Sequence, residues 1–279
     1  MHIKNNYLQN ISSIICNTFD EEVCPLCDWI TKNIRSLSIE LKNRLSEDDI
    51  FDNLVDEGNT NFITLHRLIQ KRVNTLKPLN RIEVVEEIDG IKIKQTEIGS
   101  KTNKIIYTEF LELFSAIECW DNMEKGLFYE NFCTKFLTDL GLIAETTPPS
   151  NDKGIDIIAK YKTLLEQEHS HLVFNDYIYM LGQAKFLKGK VDTPILRRLV
   201  GDSIFLRFDS LENIDIAHNA IHLIVFSHNG FTDEAIDFAN KKKIMRVETN
   251  QLITLISSSK NITEMKCYKY IKAQITNHK

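Results

Sequence analysis

Three polar side chains in the second half of the chain are spaced so that they could act together. Asp156 lies in residues 155–161, which read as a β-strand, and Gln183 and Lys185 lie two positions apart in a second strand-like run at 177–186. Side chains two apart in a strand share a face, which puts Gln183 and Lys185 roughly 7 Å apart on one surface. A carboxylate, an amide and an ammonium gathered in this way destabilise a core, so the set indicates a chemical site. Taken singly, Asp156 is equally typical of an exposed strand position, and Lys185 is more typical of a solvated one.

The chemistry that these groups could support is metal-assisted hydrolysis. A hard divalent cation such as Mg²⁺ binds oxygen atoms, uses few protein carboxylates and keeps waters and substrate phosphates as ligands. Asp156 and the amide oxygen of Gln183 could bind it. Glu130 is a further candidate, because it lies at the edge of an apolar stripe on a predicted helix at 123–140, within reach of a sheet. Lys185 could then orient or deprotonate the attacking water and offset charge in the transition state.

The elements that must position these groups predict an α/β domain with a mixed sheet flanked by helices. Periodicity and the pair Thr193-Pro194 at a helix start support this reading. We predict helices at about 123–140, 195–208, from 232 onward and at 250–257, and strands at 155–161, 177–186, 221–226 and 244–247.

The preceding part of the chain is predicted to be mostly helical, with one β-hairpin. Asp89-Gly90 sits between two strand-like runs and marks the turn of the hairpin. Residues 104–120 are compatible with a strand or a helix. We therefore expect three parts: residues 1–120, with a role in recognition, dimerisation or regulation; a domain at 121–258; and a basic tail at 259–279, which carries five lysines against one glutamate.

Composition and charge restrict the protein class only loosely. The net charge of −5 argues against a nonspecific polycation but not against a nucleic-acid enzyme, which needs only a local basic surface. No apolar run approaches the ~20 residues of a membrane span, and the N-terminus lacks a secretory pattern, so we expect a cytoplasmic protein without a membrane partner. Cys24 and Cys27 have half of a zinc-site spacing; free cysteines are favoured, and a zinc site stays open.

Three motifs resemble, in order, the catalytic domain of Mrr-type restriction endonucleases, a branch of the PD-(D/E)XK nuclease superfamily. They are Gly-Leu-Phe-Tyr-Glu at 126–130, Ser-Asn-Asp-Lys-Gly-Ile-Asp-Ile-Ile-Ala at 150–159 and Gly-Gln-Ala-Lys at 182–185. The resemblance covers about residues 123–257. It implies the restriction-endonuclease fold, hydrolysis of DNA phosphodiesters with Mg²⁺ (for which Mn²⁺ can substitute), and a role in cutting foreign or modified DNA.

The resemblance also implies a role for each site residue. Asp156 matches the metal-binding acid, Lys185 the catalytic lysine and Glu130 the helix carboxylate. Gln183 stands where the superfamily usually has a second acid, and glutamine is the variant found at this position in Mrr-like members. The glutamine removes one negative charge from the metal site.

Six basic residues lie close in sequence to this site and are candidates for contacts to DNA phosphates, although a solvated surface explains them equally well. They are Lys153, Lys160, Lys188, Lys190, Arg197 and Arg198.

Two hypotheses follow. The first is an active endonuclease of a restriction or anti-phage system, working as a homo-oligomer or with a defence-system partner protein. The second is a nucleic-acid-binding or scaffold subunit on a degenerate nuclease fold.

Overall fold

The computed structural model describes residues 3–42, 44–76, 79–147, 154–162, 177–208, 216 and 219–278. The chain divides into two compact units, Met1–Asn103 and Lys104–Lys279. The second unit begins earlier than the predicted boundary after residue 120. The reason is that Lys104–Ile117, whose sequence left strand and helix open, forms a helix that packs within this unit.

The first unit is mostly helical and contains a small antiparallel sheet, as predicted. Its strands are β1 (Val23–Pro25), β2 (Ile82–Glu87) and β3 (Gly90–Gln95), in the order β1-β3-β2. The predicted hairpin is β2–β3, and Gly90 has a φ of +130° at its turn, a conformation that favours glycine. The helices are α1 (Asn5–Thr18), α2 (Leu26–Glu40), α3 (Glu47–Leu54), α4 (Thr60–Leu76) and α5 (Glu97–Lys101).

The core of the first unit includes apolar side chains of α4 and of the segment that follows α2. Phe62 and Ile69, which lie on one stripe of α4, are fully buried. Leu41 and Leu45 are also buried, although α2 ends at Glu40 instead of continuing through them. The helix stops there because Lys42 adopts a left-handed backbone conformation with a φ of +55°.

The second unit is built on a mixed five-stranded sheet, which confirms the predicted fold class. The strand order is β4-β5-β6-β7-β8; β4–β5 and β5–β6 are antiparallel, whereas β6–β7 and β7–β8 are parallel. The strands are β4 (Ile143–Thr146), β5 (Ile157–Lys162), β6 (Tyr177–Lys185), β7 (Ile221–Ser227) and β8 (Met245–Glu248). The helices are α6 (Lys104–Ile117), α7 (Asn122–Asp139), α8 (Thr193–Phe208), α9 (Asp233–Lys242), α10 (Thr249–Ser257) and α11 (Lys266–His278).

Helices cover both faces of this sheet. Leu181 and Val225 belong to a buried cluster with side chains of α8 and α9. On the other face, the ring of Phe186 lies 5.5 Å from that of Tyr129 on α7. Burial of each such side chain contributes roughly 1.5–3 kcal/mol. The sheet is therefore held between two apolar layers, and polar groups gather at its ends.

Residues 259–279, predicted as a basic tail, include an ordered helix. Asp139 at the end of α7 accepts hydrogen bonds from the backbone N–H groups of Lys266 and Cys267, at 2.8 and 2.9 Å, and so caps the start of α11. Cys267 and Ile271 are buried. Among the described residues, no helix is long and apolar enough to cross a membrane.

Candidate active site

Asp156 and Lys185 lie in direct contact at one end of the sheet. The Nζ atom of Lys185 is 2.8 Å from Oδ2 of Asp156, and the backbone N–H of Ala184 donates to the same oxygen at 2.9 Å. The Asp156 side chain is only 8% exposed, whereas that of Lys185 is 27% exposed. The carboxylate is thus held inside the protein, while the ammonium group borders solvent.

Strand pairing brings these two residues together. Asp156 directly precedes β5, and its backbone N–H donates to the carbonyl of Gly182 at 2.9 Å, which extends the antiparallel pairing of β5 with β6. Lys185 ends β6, and its carbonyl accepts the N–H of His228 at 3.0 Å. The start of β5 and the carboxyl ends of β6 and β7 therefore meet at one edge. Asp156 was expected inside its strand; it lies one residue before it.

Gln183 has a buried amide of which only one end is used. The residue is 4% exposed, and its Nε2 donates to the carbonyl of Gly154 at 2.8 Å. A carbonyl can only accept, so this contact fixes which end of the amide carries the nitrogen. The Oε1 atom is buried and has no hydrogen-bond partner among the described residues. An unsatisfied buried acceptor costs about 1–3 kcal/mol, so this oxygen is suited to a ligand that the protein alone does not provide.

Gly154, the partner of Gln183, is required by its surroundings. Its φ is +79°, and a Cβ at this position would lie 1.9 Å from Oδ2 of Asp202 and 3.5 Å from Cδ of Arg198. Both neighbours belong to α8. The positive φ favours glycine here, and a Cβ would also require the Asp202 side chain to move.

Glu130 lies on α7 and is half-buried. The fully buried Cys133 lies one turn later. Burial raises the pKa of the Cys133 thiol well above its ordinary value, and the negative charges of Glu130 and Asp156 raise it further. The negative charges of both carboxylates therefore act on the same buried thiol.

The oxygen atoms of these side chains suit a hard cation only if the amide oxygen of Gln183 is one of the ligands. The described part of the chain contains no group of three or more His, Cys, Asp or Glu side chains placed to hold a metal ion. Asp156 and Glu130 supply two carboxylates, and the unpartnered Oε1 of Gln183 supplies a neutral oxygen. Oxygen atoms of these kinds are the ligands that Mg²⁺ accepts alongside water and phosphate.

The predicted phosphate-contact residues fall into different surroundings. Lys188, Lys190 and Arg198 are exposed. The guanidinium of Arg197 lies 5.7 Å from the centre of the Phe238 ring on α9. Lys160 lies 5.1 Å from the ring of Tyr177, and Lys153 lies outside the described residues.

Sequence reasoning missed a chain of polar contacts beside the site, which runs from the exposed Glu118 to the buried Tyr129. His228 follows β7 and stacks on Phe186, with ring centres 3.9 Å apart. Its Nδ1 lies 3.1 Å from the hydroxyl of Thr249, and its Nε2 lies 3.1 Å from Glu118. The Thr249 hydroxyl in turn donates to Tyr129 at 3.0 Å. Glu118 and His228 are 110 residues apart, so no local pattern indicates the pair.

One family model matches the part of the chain that contains these residues. The Mrr_cat family model, described as a restriction endonuclease, matches residues 121–256. No curated protein matches the sequence.

Two solved structures are similar to the chain. The MspJI restriction endonuclease in complex with a 27-mer oligonucleotide is 11% identical, with a TM-score of 0.41, over 81% of this chain and 48% of that one. The DNA modification-dependent restriction endonuclease AspBHI is 12% identical, with a TM-score of 0.39, over 65% of this chain and 42% of that one. The chain thus spans less than half the length of either.

Proposed function

We propose that the restriction endonuclease domain at residues 121–256 is an active, divalent-metal-dependent endonuclease that hydrolyses DNA phosphodiester bonds. The observation that carries the proposal is the contact of 2.8 Å between Lys185 and Asp156, next to a buried amide oxygen that has no partner among the described residues. A packing role explains neither the buried carboxylate nor the unused oxygen.

In this proposal, each side chain has a separate task. Asp156, Gln183 and Glu130 hold Mg²⁺, or Mn²⁺ in its place. When bound, the cation supplies Lewis acidity and a water of lowered pKa. Lys185 has three N–H donors, of which Asp156 takes one. The other two can bind a phosphate oxygen and orient the attacking water, and the positive charge stabilises the transition state.

The surrounding residues fix the position of these groups. The Ala184 N–H and the Lys185 ammonium hold Oδ2 of Asp156 in one orientation, and the Gly154 carbonyl does the same for the Gln183 amide. Such fixed partners keep site groups in their working geometry before substrate arrives.

The substrate and setting belong to the same proposal. DNA is the substrate, and the described residues that we expect near its phosphates are Lys160, Lys188, Lys190, Arg197 and Arg198. Cutting both strands of a duplex requires two active sites, so the protein acts as a homo-oligomer or with a partner protein, in the cytoplasm and in defence against foreign DNA.

The test is a cleavage assay with supercoiled plasmid and with methylated, unmethylated and single-stranded oligonucleotides, in Mg²⁺ or Mn²⁺. We expect the wild type to cut at least one substrate, and Asp156→Asn and Lys185→Ala to lose the activity. Lys242→Ala, which changes an exposed lysine of α9, is the matched control and retains it. Cleavage that persists in both site variants would overturn the proposal. Tight DNA binding without hydrolysis in either metal would instead support a binding subunit on a degenerate nuclease fold.

A further inference from the structure

A second pocket opens near the beginning of α7, within the same unit as the candidate active site. It has a volume of about 650 Å³ and is lined by residues that include Trp120, Lys125 and Lys188. Glu118 and Asp121 also line it. None of the roles assigned above uses Trp120 or Lys125.

Lys125 is the unusual member of this pocket. The residue is 4% exposed, yet within the described ranges its ammonium group forms no hydrogen bond and no ion pair. Long lysine side chains normally keep the charged end in water, and a buried charge without a partner is destabilising. A pocket that leaves such a group open to one side is suited to an anion.

The two acidic residues of the pocket are already engaged. Oδ1 of Asp121 accepts the backbone N–H groups of Met123 and Glu124, at 2.7 and 2.9 Å, and so caps α7. These hydrogen bonds are the main reason why the pKa of Asp121 is lowered. Glu118 lies 3.1 Å from Nε2 of His228. Among the described residues, the ammonium groups of Lys125 and Lys188 form no ion pair with either acid, although the charge of Lys125 contributes to the lowered pKa of Asp121.

The pocket lies close to the candidate catalytic groups along the chain. Lys188 follows Lys185 by three residues, a distance of at most about 11 Å in extended chain. The segment between them is anchored, because Nδ2 of Asn229 donates to the carbonyl of Leu187 at 2.7 Å. A DNA strand rises about 3.4 Å per nucleotide, so a strand that passes the candidate catalytic groups can also reach this pocket within a few nucleotides.

We propose that Lys125 and Lys188 bind a phosphodiester group of the DNA strand next to the scissile phosphate, with the neighbouring nucleotide against Trp120. The aromatic ring offers a stacking surface that accepts any base. This inference rests on the proposed function, since it names where the same substrate is held. It assigns to Lys125 a positioning role that charge clustering in the sequence did not suggest.

The experiment measures DNA binding separately from cleavage. A 30-base-pair duplex is titrated without divalent metal at several salt concentrations, with fluorescence anisotropy as the readout. We expect Lys125→Met and Lys188→Met each to weaken binding about tenfold and to reduce the slope of log K against log salt by about one. Lys125→Arg keeps the charge and should retain most of the affinity, and Lys242→Met is the control.

Thermal unfolding shows whether the variants fold, and Lys188→Met provides the test at an exposed position if Lys125→Met does not. Wild-type affinity and salt slope in a folded Lys125→Met would overturn the proposal and make Lys125 a structural lysine. Wild-type affinity and salt slope in Lys188→Met would likewise overturn the proposal. Because no metal is added, failure of the nuclease activity leaves this result intact.

Tryptophan fluorescence distinguishes a strand from a free anion. In a Trp29→Phe background, Trp120 is the remaining tryptophan, because the chain has two. Quenching by the duplex that is lost in Lys125→Met supports the proposal. Quenching by inorganic phosphate, with no effect of DNA, would overturn the assignment to a DNA strand.

Discussion

Two buried amides, one in each unit, show how a structural polar group differs from a candidate functional one. Asn61 in the first unit is 3% exposed; its Oδ1 accepts the N–H of Ile3 at 3.2 Å and its Nδ2 donates to Asn53 at 3.0 Å. Gln183 in the second unit is 4% exposed but uses only its nitrogen. With nearly equal burial, the first amide is satisfied within the protein and the second is open to a ligand.

The largest effects, on cleavage rate and on stability, are expected when each of the two amides is replaced in a separate variant. Gln183→Leu should lower the rate of metal-dependent DNA cleavage about 100-fold, because a ligand oxygen is lost, while it leaves thermal stability nearly unchanged. Asn61→Leu should lower the free energy of unfolding by about 1–3 kcal/mol and leave cleavage per folded molecule unchanged. Plasmid cleavage and urea unfolding measure the two quantities. Strong destabilisation by Gln183→Leu, with normal cleavage, would remove the distinction.

A smaller loss is expected when the partner of Gln183 is displaced. Gly154→Ala introduces a Cβ 1.9 Å from Oδ2 of Asp202 at a φ of +79°, which is strained for alanine, so we expect the backbone and its carbonyl to shift. We expect cleavage to fall about tenfold, with a change in the rate constant larger than the change in KM. Gly126→Ala is the matched control, because a Cβ at Gly126 meets nothing within 4 Å. Equal activity of the two variants would contradict the role of Gly154.

Replacing the open amide by a carboxylate should sharpen the comparison. Gln183→Glu restores the acid that is usual at this position in the related superfamily, and we expect the Mg²⁺ concentration for half-maximal cleavage to fall several-fold, since an ionised oxygen binds the cation more strongly. Without metal the variant should be less stable than the wild type, because a second charge lies next to Asp156. A metal requirement that does not change would argue that Gln183 is not a ligand.

The smallest effect concerns His228, whose side chain is 9% exposed and whose two ring nitrogens each lie 3.1 Å from an oxygen atom. Burial lowers the pKa of His228, although Glu118 opposes the shift. The unfolded chain therefore binds a proton more readily, so the contribution of the neutral form to stability is complete above pH 6.5 and is lost as the pH falls below that value. Thermal unfolding of wild type and His228→Phe at pH 7.5 and 5.5 should show the larger decrease in the wild type. An equal decrease in both would exclude His228 as its source.

The sequence predicted the parts of the site that depend on strand periodicity. Gln183 and Lys185 sit two residues apart in β6, as strand alternation predicted, whereas the pairing of β5 with β6 that brings Asp156 to them is seen only in the structure. The pair Thr193-Pro194 at the start of α8 was equally predictable. These features depend on residues that are only a few positions apart, because backbone geometry and side-chain alternation are local properties of the chain.

Other parts depend on packing between distant segments. The Gly154 carbonyl that takes one end of Gln183 is 29 residues away in sequence, and its φ of +79° is set by the approach of α8. Lys125 reads as an ordinary helix lysine, and only the fold buries it.

By itself, the sequence determined the mixed sheet, the order of its strands along the chain and the four polar residues offered to one site, because these follow from local periodicity and residue type. Only the tertiary structure decided which polar atoms were satisfied. It joined Lys185 to Asp156, left the Gln183 oxygen without a partner among the described residues and enclosed Lys125 in a pocket. Whether a buried polar group has a hydrogen-bond partner depends on all the segments that surround it, so it is settled only when the chain has folded.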